Sequence, residues 1–419
     1  MSMPAPTPRD TPAAHDWSAI RAQFPVLERT VHGKPLIYLD SANTGQKPQA
    51  VIDAVNEFTA HHNANVSRAV HTLGSEATEA YEGARGTLAR FLNVRRDELV
   101  LCSGTTFALN LVAYSWALPR LKPGDAIVLT RMEHHANIVP WQLVAERTGA
   151  TIKVAELTPE GALDLDGLWR LLTPEVKLLA FAHVSNVLGT VNPVREICRE
   201  AAMRGITTVV DGSQAVPHRP VDIAALGCDF YAFTGHKMCG PTGTGGLWGR
   251  RELLAQMPPF LGGGEMIAQV ELAHSSWAAA PAKFEAGTPP IGAAIGLGAA
   301  CRWLGTLPWS EIAATETRLC QRLLDGLAAT PGIRVLGPQS LQARAPVVSF
   351  ALEGTHPHDI CQIMDGAGVA LRGGHHCAQP LHKRFDLAGT TRASLALYSD
   401  DSDIDAFFEG LARARRILL

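Results

Sequence analysis

Between residues 97 and 250 short apolar runs alternate with amphipathic stretches, which is the pattern of βα units feeding a parallel sheet. The runs predict strands at Glu98–Cys102, Ala126–Thr130, Thr151–Leu157, Lys177–Val184, Thr207–Asp211, Phe230–Thr234 and Gly245–Gly249. Helices are expected between them at Phe107–Leu118, Asp164–Leu172 and Val194–Arg204. Seven strands joined by right-handed crossovers make one large open sheet. Over 259–290 the alternation breaks into PFLGGGEMIAQVEL and KFEAGTPP, whose glycines and prolines read as loops with room for a hairpin. A second pattern follows: helices near 291–304 and 309–329, strands Ala345–Leu352 and Thr391–Ala396, and a closing helix Ile404–Leu418.

The fold class is therefore α/β: a large domain with a mainly parallel seven-stranded sheet flanked by helices, plus a smaller C-terminal α/β domain acting as a lid or side wall. The expected division is a disordered leader over 1–16, a segment 17–35 packing with the small domain, the large domain over 36–304 and the small one over 305–419. The leader reading rests on MSMPAPTPRDTPAAHDW, which is rich in Pro and Ala and has no apolar core of a signal peptide.

Composition narrows the chemistry. With 419 residues, 46% of them hydrophobic, 18% charged and a net charge of −3, no face carries the dense Lys/Arg run that nucleic-acid binding needs. No apolar run approaches the roughly 18–20 residues of a membrane span. The eight cysteines (102, 198, 228, 239, 301, 320, 361 and 377) show no paired spacing, so reduced thiols in the cytoplasm are expected, with neither disulfides nor a zinc ribbon. A small-molecule substrate fits this balance best.

Ligands of open α/β sheets bind beyond the carboxyl ends of the strands. There TTVVDGSQAV places Asp211 and Gln214, and YAFTGHKMCGPTGTGG places Thr234, His236 and Lys237. Lys237 reads either as a solvated loop charge or as a Schiff-base amine whose pKa a desolvated pocket lowers. Beside Asp211 the second reading gains weight, because pyridoxal 5'-phosphate needs a lysine for its aldehyde and a carboxylate for its pyridine nitrogen. CSGTTFALNLVA brings a strand into Gly104, Thr105 and Thr106 and then a helix, which is a cradle for phosphate or an N-cap without a ligand. In MEHHANIVPW a histidine is placed to stack on a ring or simply to sit at the surface, and Asn186 follows the next strand. RGGHHCAQPL, residues 372–381, sets Cys377 behind two glycines and two histidines, and reads as a short glycine-hinged arm carrying a thiol. A zinc site there is not expected, since consecutive residues point apart and no further ligand pair follows.

Together these motifs resemble the fold-type I pyridoxal phosphate enzymes of aminotransferase class V. The nearest likeness is to group II cysteine desulfurases of the kind that supply sulfur to iron–sulfur cluster assembly, with selenocysteine lyases, cysteine sulfinate desulfinases and class V aminotransferases as alternatives. It runs from LIYLDSANTGQKP (36–48) to TTRASLALY, and TGHKMCGPTG with RGGHHCAQPL is its most specific part. The resemblance implies Lys237 as the Schiff-base lysine, Cys377 as the persulfide-forming nucleophile and His134 stacked on the cofactor. It implies Asp211 at the ring nitrogen, Gln214 at the phenolic oxygen, and Thr105, Thr106, Thr234 and His236 at the phosphate, joined by Thr288 from a neighbouring subunit. Arg392, Asn186 and Arg372 would bind the carboxylate of L-cysteine or L-selenocysteine and shape the mouth. A homodimer and a sulfur-acceptor protein are implied as partners. The chain departs at Phe107, commonly glutamate, and at Ser67, commonly histidine; both positions are expected near the dimer interface or cleft rim.

Overall fold

The computed structural model describes residues 17–67 and 70–419, so the leader expected over 1–16 lies outside the described residues. Seven strands form the large sheet: β1 Leu99–Cys102, β2 Ala126–Thr130, β3 Thr151–Ala155, β4 Val176–Ala182, β5 Thr207–Asp211, β6 Phe230–Thr234 and β7 Gly245–Gly249. Their order is β1-β7-β6-β5-β4-β2-β3. Most read as continuous apolar runs because helices cover both faces of the sheet, which removes the polar-out alternation of a one-sided sheet. The run from β3 to β6 in space is parallel, whereas β7 lies antiparallel to both β6 and β1. The reason is local: only the glycine-rich link 235–244 joins β6 to β7, and a parallel return needs a crossover of a dozen residues or more. Lys237 therefore sits in a hairpin link.

A 20-residue helix, Thr72–Phe91, packs on Ile291–Leu304. The hydrophobic pattern does not predict it, because its inward face is made largely of small residues such as Ala77 and Ala84. A Cβ on Gly298 would fall 2.7 Å from that of Ala84, so the two helices meet almost backbone to backbone. Within 259–290 a hairpin does form, from β8 Ile267–Val270 and β9 Ser275–Trp277, and it exposes Val270, Leu272 and Trp277.

In the C-terminal part, β10 Ile333–Val335, β11 Val347–Leu352, β12 Arg372–Gly374 and β13 Thr390–Ser394 form an antiparallel sheet in the order β10-β11-β13-β12. The pattern predicts β11 and β13 only; β10 and β12 have three residues each, too few to show a period. Helices Trp309–Ala328 and Asp401–Leu418 cover this sheet through Leu319, Leu323, Phe350 and Phe407. Ile37–Tyr38 pairs in parallel with Val369–Ala370, so the start of the stretch assigned to the large domain is hydrogen-bonded into the small one. Ahead of it, Arg21 donates to Asp403 and to the Tyr398 carbonyl, and the Trp17 indole donates to the Ser399 carbonyl. These ties bring β12 and β13 over the carboxyl ends of β4, β5 and β6.

Candidate active site

A cavity of about 450 Å³ opens where the two sheets face each other. Its floor is the carboxyl edge of the large sheet. Asp211 ends β5, Thr234 ends β6, and Lys237 closes a single tight turn, Gly235–Lys237. Withdrawal from water pushes the Lys237 amine down to about 8, against the opposing pull of the Asp211 carboxylate. The same withdrawal, reinforced by Lys237, pushes His236 down to about 4.

Asp211 is buried, and its Oδ1 accepts from the Ser213 amide at 2.9 Å and the Ser213 hydroxyl at 2.6 Å. Because the carboxylate can only accept, the Ser213 hydrogen is spent on it, and the 2.7 Å contact between Thr105 and Ser213 must run from the Thr105 hydroxyl. This qualifies the sequence expectation for Thr105: its hydroxyl is turned inward, which leaves its backbone N–H for an anion. Gly104 precedes it at φ +141°, where a Cβ would stand 3.1 Å from the Thr234 hydroxyl. Only glycine fits between the strand and the first turn of Thr105–Val112, whose free N–H groups and exposed Thr106 face the cavity. Phe107 also lines the cavity, with its ring edge-on to Phe260 at 5.2 Å, so it belongs to the rim.

His134 caps the turn His135–Asn137, its Nδ1 accepting from the Ala136 amide at 3.0 Å. Burial, then Lys237, push the ring down to about 4, so at neutral pH it is uncharged with its proton on Nε2. Glu133 beneath it is fully buried; burial pushes its carboxyl up to about 8 although Thr130, Asn137 and the Ala182 amide all donate to it.

The roof comes from the small domain. Arg392 on β13 donates through Nη1 to the Asn186 carbonyl at 2.9 Å and through Nη2 to Asp40 at 3.2 Å. Arg372 on β12 stands directly opposite Arg392 in the ladder. Like charges facing each other across two strands are unfavourable. Asp40 offsets part of this repulsion, and an anion in the cavity would offset more. Asn186 donates its side-chain amide to the His376 carbonyl at 2.7 Å, so it holds the cysteine arm.

Cys377 is the exposed one of the eight thiols; burial pushes those of Cys102, Cys198, Cys239, Cys320 and Cys361 up to about 12. It lines the cavity on the loop 375–378. The glycines before it, read from the sequence as a hinge, form part of a strand. Gly373 and Gly374 lie in β12, and a Cβ on Gly373 would meet His358 and the Pro357 carbonyl at 2.8–3.0 Å. Gly373 is small so that the strand can pass close to Pro357, whereas Gly374, at φ +120°, takes a backbone conformation that other residues rarely adopt.

Every residue assigned a site role from the sequence lines this one cavity except Thr288, which is exposed and accepts from Asn65 at 3.4 Å; Ser67, read as a departure at the rim, lines a separate cleft beside Glu285 and Gly287. Sequence reasoning missed Asp40, Ser213 and Glu133. Each lies inside a motif it quoted, but a partner far along the chain or buried beneath the site gives no local signal.

The lining suits a flat, phosphate-bearing ring with an aldehyde. Gln214 Oε1, Arg392 Nε and His376 Nδ1 are buried without partners. Such atoms cost about 1–3 kcal/mol each unless an occupant pairs with them. Gln214 donates one N–H to the Ala42 carbonyl and has a second for a phenolic oxygen.

The family model for aminotransferase class V matches residues 37–407. A probable cysteine desulfurase of Xylella fastidiosa (strain Temecula1) is 59% identical over 407 residues, covering 97% of each chain. A cysteine desulfurase of Shigella sonnei is 47% identical over 401 residues, covering 95% of this chain and 98% of that one. Among solved structures, the Escherichia coli cysteine desulfurase CsdA, with an S-sulfonic acid, superposes with a TM-score of 0.90 at 38% identity, covering 97% of this chain and 100% of that one.

Proposed function

The chain belongs to the class V aminotransferases and, within them, to the cysteine desulfurases, and on that premise we propose that it converts L-cysteine to L-alanine with pyridoxal phosphate and leaves the sulfur on Cys377. The observation that carries the reading is the pairing of a desolvated Lys237 beside Asp211 with a single exposed thiol across one cavity. When bound, the cofactor supplies an aldehyde for amines and a ring that withdraws electrons from the substrate Cα.

The protein's own groups do the rest. With the cofactor bound, Asp211 would pair with the ring nitrogen, Gln214 with the phenolic oxygen, and His134 would stack on the ring. The first-turn N–H groups of Thr105 and Thr106, with Thr234 and His236, take the phosphate. Lys237 would hold the cofactor's aldehyde, and as a free amine whose pKa burial lowers it is suited to take the Cα proton. Arg392, aided by Arg372, binds the substrate carboxylate by charge-assisted hydrogen bonds. The Cys377 thiolate attacks the substrate sulfur: an S–S bond forms, the Cβ–S bond breaks, and its electron pair stays with the carbon skeleton, which takes up protons and leaves as alanine. His134, neutral with its proton on Nε2 and its Nδ1 engaged by the Ala136 amide, can offer that N–H as a hydrogen-bond donor toward the reacting groups.

Several finer assignments belong to the same proposal: the group II subtype, the division into domains 36–304 and 305–419, a cytoplasmic location, an acceptor protein for the persulfide, and a homodimer in which Thr288 reaches the partner's phosphate site. The exposed position of Thr288, outside its own cavity, supports the last. Among the described residues no helix is long and apolar enough to cross a membrane. Incubating the pyridoxal phosphate form with L-cysteine, L-selenocysteine and cysteine sulfinate in parallel, and measuring alanine and the mass of the Cys377 peptide, tests the reading. A 32-Da gain on Cys377 and alanine from cysteine are expected; a Cys377→Ser variant that keeps full activity would refute it.

A further inference from the structure

The backbone around Cys377 is strained. His376 and Cys377 both have left-handed φ, +51° and +57°, a conformation uncommon outside glycine and costly for two residues in succession. A loop held this way needs ties, and here each residue from 376 to 379 has one, three of them to other parts of the fold. The His376 carbonyl accepts from Asn186 at 2.7 Å, and the Cys377 carbonyl accepts from the His135 amide at 2.7 Å. Ala378 O lies 3.0 Å from His382 Nδ1, and since a carbonyl can only accept, that nitrogen donates. The Gln379 amide donates to His135 Nε2 at 3.1 Å. His135 thus grips the arm twice, on both sides of Ala378, and is the residue next to His134.

We propose that His135 is a positioning residue for sulfur transfer: its ring nitrogen and backbone amide lock the Cys377 arm to the turn that carries His134, making nucleophile and ring-stacking group one rigid unit. The ring must be neutral at Nε2 to accept from Gln379, and its burial beside His375 favours that form. The inference rests on the desulfurase reading for its kinetic readout but not for its chemical one. A thiol held within a few tenths of an ångström of its attack position spares the orientation cost of the step, whereas cofactor and substrate binding use other residues.

The test uses the pyridoxal phosphate holoenzyme and three variants. His135→Ala removes the acceptor, His135→Gln replaces it with Oε1, and Gln379→Pro deletes the opposing N–H while leaving His135 intact. For His135→Ala and Gln379→Pro, the cofactor absorbance and KM for L-cysteine should stay within about threefold, and kcat for alanine should fall about tenfold, the upper range for one lost hydrogen bond. Alkylation of Cys377 by iodoacetamide, followed on its peptide by mass spectrometry, should speed up at least about threefold. His135→Gln should return both rates to near wild type. Unchanged kcat and alkylation in His135→Ala, a parallel collapse of cofactor binding and KM, or normal behaviour of Gln379→Pro would each overturn the proposal. Absence of alanine from the wild-type enzyme would instead refute the desulfurase reading, and the alkylation comparison would still decide the role of His135.

Discussion

Replacing Asp40 by Asn separates charge from shape at the roof of the cavity. Asp40 Oδ1 stands 3.2 Å from Arg392 Nη2, with both side chains largely out of solvent, at 13% and 3% exposure. At an effective dielectric of about 20, two unit charges at that distance attract by about 5 kcal/mol. Asn keeps an acceptor at the same place, and a hydrogen bond to a charged donor retains about 1.5–3 kcal/mol. Burial of the Asp40 carboxylate, which pushes its pKa up despite Arg392, offsets part of this, so the expected net loss is about 1–3 kcal/mol, with Arg392 still buried and facing Arg372 across the ladder. Thermal unfolding of the variant should begin several degrees lower. Because the loss is electrostatic, an anion in the cavity should restore part of it: 3-mercaptopropionate, which carries the substrate's carboxylate and thiol but no amine, should raise the variant's melting temperature more than the wild type's. Equal ligand-induced shifts, or a variant as stable as the parent, would show that Asp40 does not neutralise Arg392 and would remove the argument that the arginine pair awaits a carboxylate.

Further outcomes test the floor of the site. Reconstitution of the cofactor-free chain with pyridoxal phosphate requires the neutral Lys237 amine, so its rate should climb with pH and level off above about 8; a rate flat between pH 6 and 9 would contradict the burial argument. Asp211→Asn removes the charge that holds the lysine's pKa up, and should move that midpoint lower. Glu133→Gln should destabilise by about 1–3 kcal/mol, because Asn137 and the Ala182 amide both present donors to the carboxyl and a side-chain amide must turn its own N–H toward one of them. The Trp141 indole, which can only donate, fixes the orientation of Asn137. Adding Trp141→Phe frees Asn137 to flip, so the double variant should lose less than the sum of the two single losses when melts are compared.

Much of the active-site floor was legible because its residues come in short motifs at strand ends, where chain direction alone puts them on one edge of the sheet. Lys237, Asp211, Gln214, Thr106 and Thr234 reach the same cavity for that reason. Strand positions in the large sheet followed from runs of apolar residues buried on both faces. The antiparallel return of β7 was not read, although the shortness of 235–244 holds the physical reason. Helix Thr72–Phe91 stayed hidden because contact through Ala and Gly leaves little hydrophobic signature.

By itself, then, the sequence determined the chemistry available: an amine, a carboxylate, a phosphate cradle and a thiol, each in a local pattern that its chemical role requires. Only the tertiary structure decided how they are held. Asp40 meets Arg392 from more than 350 positions away, Ser213 turns Thr105 inward, and His135 anchors an arm that its glycines suggested was hinged. Contacts between residues so far apart depend on how the two sheets dock. No periodicity along the chain encodes that docking, because it is set by which buried polar groups find partners once the apolar faces have closed.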